Sequence, residues 1–244
     1  MTSCTCKNVL KLEKIIEERM DYYKSGGKYN EPSLTEEIVY QIQKNCSDAR
    51  LIHSTSEATT GADIEWWIEI YQDCYIGLNI QAKKRYKDSI EYDKIAHKIG
   101  GHTPQIDRLI NYSNTRRMIP LYCFYNFVGK TIKNSWTFSF AEDIKYIKSI
   151  TTQYKDPIYL QNNNALYEMN SCFCDNSKIN DFINGSGYKN AGYERPNYQD
   201  VIKNEHQLPV YVLKKQSKDN ISTYFQDTPI PKFILLTKIK DKNI

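Results

Sequence analysis

The chain has 244 residues, of which 40% are hydrophobic and 25% are charged, and its net charge is +4. This composition excludes an intrinsically disordered chain, and the length is enough to bury the core of one large or two small domains. No apolar run approaches the roughly 20 residues of a membrane span, and the first residues lack the apolar core of a signal peptide. We therefore expect a cytoplasmic protein with no membrane partner. The mild positive charge is compatible with nucleic acid as a partner but does not identify one.

The cysteines favour reduced thiols. Seven is an odd number in a chain without an evident export signal, which argues against a disulfide framework. Two Cys-x-Cys pairs, Cys4/Cys6 and Cys172/Cys174, are spaced more closely than usual zinc-ligand pairs, and no histidine cluster lies near them. We therefore expect structural thiols rather than a zinc site.

Two helices are predicted at the start of the chain. Apolar residues recur at helical spacing over residues 9–24, and Ser25-Gly26-Gly27 ends this helix. Ser33-Leu34-Thr35-Glu36 fits a capping box, so a second helix is expected from this point to about Asn45.

Three strands are predicted next, over residues 50–55, 62–70 and 75–83. The turn-like segment Gln72-Asp73-Cys74 favours antiparallel pairing of the last two as a hairpin. Side-chain alternation gives each of these two strands one apolar and one mostly polar face. The two polar faces are expected to bring together Asp63, Glu65, Gln81 and Lys83.

A charged segment over residues 84–98 follows the hairpin. Thr103-Pro104 is expected to open a helix, with the threonine as its cap and the proline at its first position. Residues 119–126 are predicted to form a buried strand, so that the order from the second helix onward is helix, three strands, helix, strand. Beyond it we expect a helix over 141–150, irregular structure over 162–198, and late strands over 207–213 and 232–239.

The order of these elements and two motifs resemble a known nuclease superfamily. Asp63 stands at the start of the second strand in Gly61-Ala62-Asp63, and Gln81-Ala82-Lys83 stands on the third. This arrangement resembles the PD-(D/E)XK, or restriction-endonuclease-like, superfamily, in the Mrr-like branch of which glutamine replaces the usual acid. The chain is also similar to an uncharacterised bacterial family with the motifs E-A-x-T-G-A-D, Q-A-K and P-L-Y-C-F-Y-N, the last present at residues 120–126.

The resemblance implies an α/β fold with a restriction-endonuclease-like αβββαβ core, a central mixed sheet and a C-terminal α+β extension. Residues 1–128 hold the N-terminal helices and the core, which itself covers about residues 31–128. Residues 129–244 are expected to form the extension, packed on the same domain.

The resemblance also implies a Mg²⁺- or Mn²⁺-dependent nuclease that acts on nucleic acid, with DNA favoured and bacterial anti-phage defence as its setting. Lys83 would activate water and stabilise the transition state. The expected catalytic and metal-binding residues are Asp63, Gln81 and Glu57. Supporting roles are expected for Glu36, Glu37, Glu65 and Gln105, and contacts with the phosphate backbone for Lys84, Arg85 and Lys87.

Each of these residues also has a structural explanation. Charged side chains are common on a solvated hairpin face, Glu65 is suited to an ion pair with a neighbouring lysine, and Gln105 is an ordinary residue at a helix start. Two other functions therefore stay open: a nucleic-acid-binding module that has lost catalysis, with Gln81 as the first sign of decay, and a protein-interaction subunit. A second copy of the chain or a defence-system protein is a further candidate partner.

Overall fold

A computed structural model describes the helices and strands of the protein. It covers residues 4–45, 50–53, 60–71, 73–87, 89–92, 94–95, 97–99, 103–169, 183–184, 188–190, 192–204, 207–208 and 233–238. The helices are α1 (Cys4–Lys24), α2 (Glu31–Asn45), α3 (Gln105–Arg116), α4 (Ala141–Ile150) and α5 (Pro157–Asn162). The strands are β1 (Arg50–His53), β2 (Ile64–Tyr71), β3 (Cys74–Lys84), β4 (Lys98–Ile99), β5 (Thr103–Pro104), β6 (Ile119–Tyr125), β7 (Trp136–Phe140), β8 (Tyr167–Glu168), β9 (Lys203–Asn204) and β10 (Phe233–Lys238).

Eight of the described strands form one mixed sheet. Seven lie side by side in the order β1-β10-β2-β3-β6-β7-β8, and β9 pairs with the start of β3. β10 runs parallel to β2 and β3 runs parallel to β6, whereas the other neighbours are antiparallel. β4 and β5 form a separate two-stranded ribbon. The predicted α/β class with a central mixed sheet is confirmed.

Helices cover both faces of this sheet. The apolar faces predicted for the hairpin strands β2 and β3 lie in one hydrophobic cluster with α1 and α2, which includes Ile64, Trp66, Leu78, Leu12 and Ile38. The opposite cluster joins β6 to α3 and α4 and includes Tyr122, Phe124, Ile106, Leu109 and Ile144. Because both faces are covered, the polar side of the hairpin is not a solvated surface.

From α2 to β6 the predicted helix, three strands, helix and strand are present, but the short strands β4 and β5, which are not among the predicted elements, lie between β3 and α3. The β2–β3 hairpin is antiparallel as expected. The start of α2 differs from the prediction. This helix begins at Glu31, because the Asn30 side chain accepts a hydrogen bond from the Ser33 N–H group at 2.8 Å and so caps it. The predicted capping box at Ser33 is therefore wrong, and Pro32 occupies the second position of the helix.

The start of α3 is also corrected. Thr103 and Pro104 pair with Lys98 and Ile99 as β5 and β4, so the helix begins at Gln105 with Pro104 before it. No side-chain hydrogen bond caps this helix in the part of the chain that the structure describes. Of the late strand predicted over 207–213, residues 207–208 lie in no strand and residues 209–213 lie outside the described ranges.

Residues on both sides of position 128 share the sheet, since β7, β8 and β10 extend the part built by β1, β2, β3 and β6. A buried ion pair attaches the segment 192–204 to α4: Arg195 pairs with Asp143, and both side chains are fully buried. The Arg195 guanidinium also lies 3.8 Å from the centre of the Phe140 ring. None of the described helices has the length and apolar character that crossing a membrane requires.

Candidate active site

The candidate site lies where β3 runs past the start of β2. The ladder between these strands begins at Ile64, and the Asp63 N–H group donates to the Ile80 carbonyl at 2.8 Å. Beyond this point, two side-chain carboxylates take the place of a strand and accept hydrogen bonds from the backbone N–H groups on this edge of β3. The Ala82 N–H group donates to Asp63 Oδ2 at 2.8 Å, and the Lys84 N–H group donates to Glu31 Oε2 at 2.9 Å.

The backbone of β3 therefore fixes the spacing of the two acids. Amide groups two residues apart in a strand are separated by about 7 Å along its edge, and this distance sets the separation of the carboxylates that they bind. Lys83 stands between these two amides in the sequence, and its Nζ atom lies 3.6 Å from Glu31 Oε1. Only 4% of Lys83 is exposed, so its charge is compensated within the protein.

Two glutamines also belong to the site: Gln81 on β3 and Gln105 at the start of α3. Gln81 Nε2 donates to Asp63 Oδ2 at 2.5 Å and to the Ala82 carbonyl at 3.2 Å, while Gln81 Oε1 accepts a hydrogen bond from Gln105 Nε2. Gln81 and Gln105 are 3% and 5% exposed. Among the described residues, Gln105 Oε1 is buried without a hydrogen-bond partner. We refer to Asp63, Gln81, Lys83, Glu31 and Gln105 as the polar cluster.

Gly61 sets the distance between the start of β2 and the first turn of α3. Its φ angle is +71°, and a Cβ atom there would lie 2.8 Å from the Leu109 nitrogen and 2.9 Å from the Gln105 carbonyl oxygen. A residue without a Cβ atom is needed for this close approach. The glycine thereby allows Gln105 to reach Gln81.

Glu65 belongs to a separate buried group. It is fully buried, accepts a hydrogen bond from Trp67 Nε1 at 2.7 Å and from the Tyr112 hydroxyl at 3.4 Å, and lies 3.8 Å from the Arg116 guanidinium. Burial raises the pKa of the Glu65 carboxyl although the charge of Arg116 opposes this effect. The ion pair considered for Glu65 therefore exists, but its partner is an arginine of α3 and not a lysine.

The acid that α2 contributes is not one of those predicted. Glu36 lies on the exposed side of this helix, and Glu37 accepts a hydrogen bond from Gln41 at 2.8 Å. Glu31, in the first turn, is the acid that reaches β3, and the Pro32 that follows it is the sequence signal that marks this turn. Glu57, predicted as a metal ligand, lies outside the described residues.

The basic residues that follow the site are in three different environments. Lys84 is buried, its Nζ atom donates to the Tyr29 carbonyl at 2.5 Å, and it lies 3.7 Å from the centre of the Tyr23 ring. Burial lowers the pKa of Lys84. Arg85 is half-buried and donates to the Ser89 carbonyl, whereas Lys87 is exposed. Of the three, Lys87 is therefore the residue most available to a phosphate backbone, and Lys84 has a structural position.

In the described part of the chain, few oxygen ligands for Mg²⁺ lie around Asp63. Within the described ranges, no group of three His, Cys, Asp or Glu side chains is placed to hold a metal ion. A carboxylate and a carboxamide oxygen nevertheless suit a cation that keeps most of its water ligands. In the present orientation the nitrogen of Gln81 faces Asp63, and the unpartnered Gln105 Oε1 is an acceptor for that nitrogen only when the amides of Gln81 and Gln105 both turn. With both amides turned, Asp63 Oδ2 and Gln81 Oε1 would offer two oxygen ligands to a hard divalent cation.

Comparison with known proteins gives a family and no activity. A family described as one of unknown function, DUF6615, matches residues 5–234, a range that contains the whole polar cluster. No curated protein matches the chain.

Proposed function

The chain belongs to the DUF6615 family, whose function is unknown, and from its site we propose that it is a Mg²⁺- or Mn²⁺-dependent nuclease. Its substrate would be nucleic acid, with DNA favoured, in the cytoplasm. The observation that carries the proposal is the polar cluster, in which a single strand end holds two carboxylates, a carboxamide and a buried lysine. Phosphodiester hydrolysis needs this combination of negative ligands and a positive charge.

Lys83 supplies the positive charge in this proposal. A buried lysine is costly to keep for packing alone, and Glu31 compensates its charge at 3.6 Å. An ammonium group is a compact point charge with three donors, suited to a phosphate oxygen and to an attacking water. Glu31 therefore acts as a positioning residue for Lys83.

Asp63 and Gln81 supply the oxygen ligands. Asp63 is held by the Ala82 N–H group, so its carboxylate keeps a fixed position at the strand edge. A cation bound here would neutralise charge on the scissile phosphate and lower the pKa of the attacking water. With one acid replaced by Gln81, the protein contributes less negative charge, so substrate phosphates should strengthen cation binding.

The order of elements supports the proposal at the level of the fold. Apart from the short β4–β5 ribbon before α3, the elements from α2 to β6 are helix, three strands, helix and strand. Asp63 directly precedes the second of these strands, and Lys83 lies near the end of the third. The same order carries the resemblance to the PD-(D/E)XK nucleases. Fold likeness alone does not establish an activity, so the proposal depends on the site residues.

The test is a cleavage assay with single-stranded DNA, double-stranded DNA and RNA, each with Mg²⁺, Mn²⁺ or EDTA. We expect metal-dependent cleavage of DNA by the wild-type chain. D63N keeps an oxygen for the Ala82 N–H group but removes the charge, and K83M removes the ammonium group at similar length. Both variants should lose about 100-fold or more in rate, and thermal melts should show that each is still folded at the assay temperature.

The matched control uses two acids of the same helix. E31Q and E36Q make the same chemical change, but only Glu31 contacts Lys83 and the Lys84 amide. E31Q should lower the cleavage rate, and E36Q should leave it unchanged. Equal cleavage by the wild-type, D63N and K83M chains would contradict the proposal.

A second candidate function is nucleic-acid binding without cleavage. It is favoured by the Gln81 nitrogen, which occupies the side of Asp63 where a cation would bind. Fluorescence anisotropy with labelled DNA and RNA separates the two functions. Binding that is independent of metal, together with intact nucleic acid under every condition, would favour the binding module.

A further inference from the structure

We propose that Gln105 is a positioning residue that determines which end of the Gln81 amide faces Asp63, and that cation binding turns both amides together. The inference rests on the proposed function, because it takes Asp63 and Gln81 as the cation ligands. It starts from the directions of the hydrogen bonds in the polar cluster.

These hydrogen bonds all have the same donor-to-acceptor direction, which we call their sense: it leads from Gln105 on α3 through Gln81 to Asp63. Gln105 Nε2 donates to Gln81 Oε1, and Gln81 Nε2 donates to Asp63 Oδ2 at 2.5 Å. A third contact, from Gln81 Nε2 to the Ala82 carbonyl at 3.2 Å, also requires the nitrogen on this side. In this sense the Gln81 oxygen faces Gln105 and is turned away from Asp63, where a cation would need it.

A half-turn of both amides reverses the direction of these hydrogen bonds. A carboxamide keeps nearly the same outline when its oxygen and nitrogen exchange places. Gln81 Nε2 would then donate to Gln105 Oε1, which is buried and has no hydrogen-bond partner in the described part of the chain. Gln105 thus makes one hydrogen bond with Gln81 in either sense, and no described group holds its oxygen in place.

The two senses differ at Asp63. In the reversed sense, Gln81 Oε1 and Asp63 Oδ2 face each other, and two such oxygens repel unless a cation lies between them. The sense seen in the structure is therefore stable without a cation, and the reversed one is stable with it. A cation shifts the equilibrium because it binds the two arrangements with different affinity.

Gln105 can follow this turn because a carboxamide is both donor and acceptor. In Q105E the ionised side chain offers only acceptors, so it holds the Gln81 nitrogen and leaves the Gln81 oxygen toward Asp63. We expect Q105E to bind Mn²⁺ about tenfold more tightly than the wild-type chain. The variant also adds a negative charge, whose effect has to be separated from that of amide orientation.

A double-mutant cycle separates the two effects. Isothermal titration with Mn²⁺ is carried out on the full chain as wild type, Q105E, Q81M and Q81M/Q105E, after thermal melts have shown that each is folded. If Gln105 acts through the Gln81 amide, the tenfold gain falls below twofold in the Q81M background. A gain of the same size in both backgrounds would overturn the inference, because charge alone would then explain it.

A second measurement uses only the wild-type chain, so it does not require any variant to fold. The side-chain amide signals of Gln81 and Gln105 are followed by ¹H–¹⁵N NMR during a Mg²⁺ titration, and both should shift with the same midpoint. A shift of the Gln81 signal alone would overturn the joint turn. Absence of any Mn²⁺ or Mg²⁺ binding would overturn this inference together with the metal dependence of the proposed nuclease, whereas metal-dependent cleavage without coupling would overturn the inference alone.

Discussion

At the scale of single residues, the site depends on atoms that a motif does not reveal. Alternation along a hairpin is local, so the shared face of Asp63, Gln81 and Lys83 follows from the sequence. The role of Glu31 does not follow from the sequence, because it arises from the packing of α2 against the end of β3, some 50 residues away in the chain. Its only local sign is a helix start, and helix starts are common.

Gly61 provides a test at this scale. G61A places a Cβ atom 2.8 Å from the Leu109 nitrogen in a backbone of positive φ, so α3 must move or the turn must change. We expect a loss of about 1–3 kcal/mol in the free energy of unfolding, measured by urea titration. G129A is the control, since a Cβ atom there meets nothing within 4 Å. Equal stability of the two variants would contradict this account of Gly61.

Glu142 makes the stability of the fold depend on pH. Its Oε2 atom is buried, and burial raises the pKa of the carboxyl to about 7 although the Tyr198 hydroxyl and the charge of Arg195 oppose this effect. Because this pKa lies above that of the unfolded chain, the folded state binds more protons. The resulting stability is complete below about pH 4.5 and is lost as the pH rises through 7.

E142Q should remove this dependence. The variant should melt at a higher temperature than the wild type at pH 8, by at most the equivalent of roughly 3 kcal/mol, and the gain should shrink toward pH 5. Thermal melts from pH 5 to 8.5 measure the difference, with E168Q on the exposed part of β8 as the control. A difference that does not change with pH would count against the role given to Glu142.

At the scale of elements, the sequence predicts those whose pattern is local. The helix over 141–150 and the strands β2, β3 and β6 are found within one or two residues of the expected positions. β7 is not among the predicted strands, although Trp136–Phe140 alternates aromatic residues with Thr137 and Ser139 in the two-residue period of a strand. β10 was expected as a strand, but its place between β1 and β2 depends on pairing across most of the chain, which no local pattern contains.

The attachment of the segment 192–204 to α4 gives a prediction at the element scale. R195M leaves the Asp143 carboxylate buried without its guanidinium partner, so we expect a loss of about 3–5 kcal/mol in the free energy of unfolding. D143L/R195M removes both charges and should be clearly more stable than R195M. Urea titrations of the three chains measure this, and a double variant no more stable than the single one would show that burial of the lone charge is not the cause.

At the scale of the whole molecule, β10 joins β1 to the rest of the sheet. It pairs with β1 over four residues and with β2 over six, from Phe233 opposite Ile64 to Lys238 opposite Glu69. Its first pair on β2 is with Ile64, the residue that follows Asp63 in the chain.

Removal of β10 should therefore unfold the protein rather than trim it. We expect a chain that ends at residue 231 to lose its cooperative thermal transition, because β1 and β2 would each lose the neighbour that β10 provides. A synthetic peptide covering residues 230–240 should restore the transition, and a scrambled peptide should not. A shortened chain that melts like the full one would contradict the central role of this strand.

The position of β10 also fixes when this part of the sheet can be completed during synthesis. At about 5–20 residues per second, β2 leaves the ribosome roughly 10–30 s before the strand that pairs with it has been made. Until then the backbone groups of Trp66–Ile68 on this edge of β2 have no strand to pair with. An unpaired edge of this kind can bind chaperones or pair with another chain. A chain that stops before β10 would therefore keep this edge of β2 without the six paired residues that β10 provides.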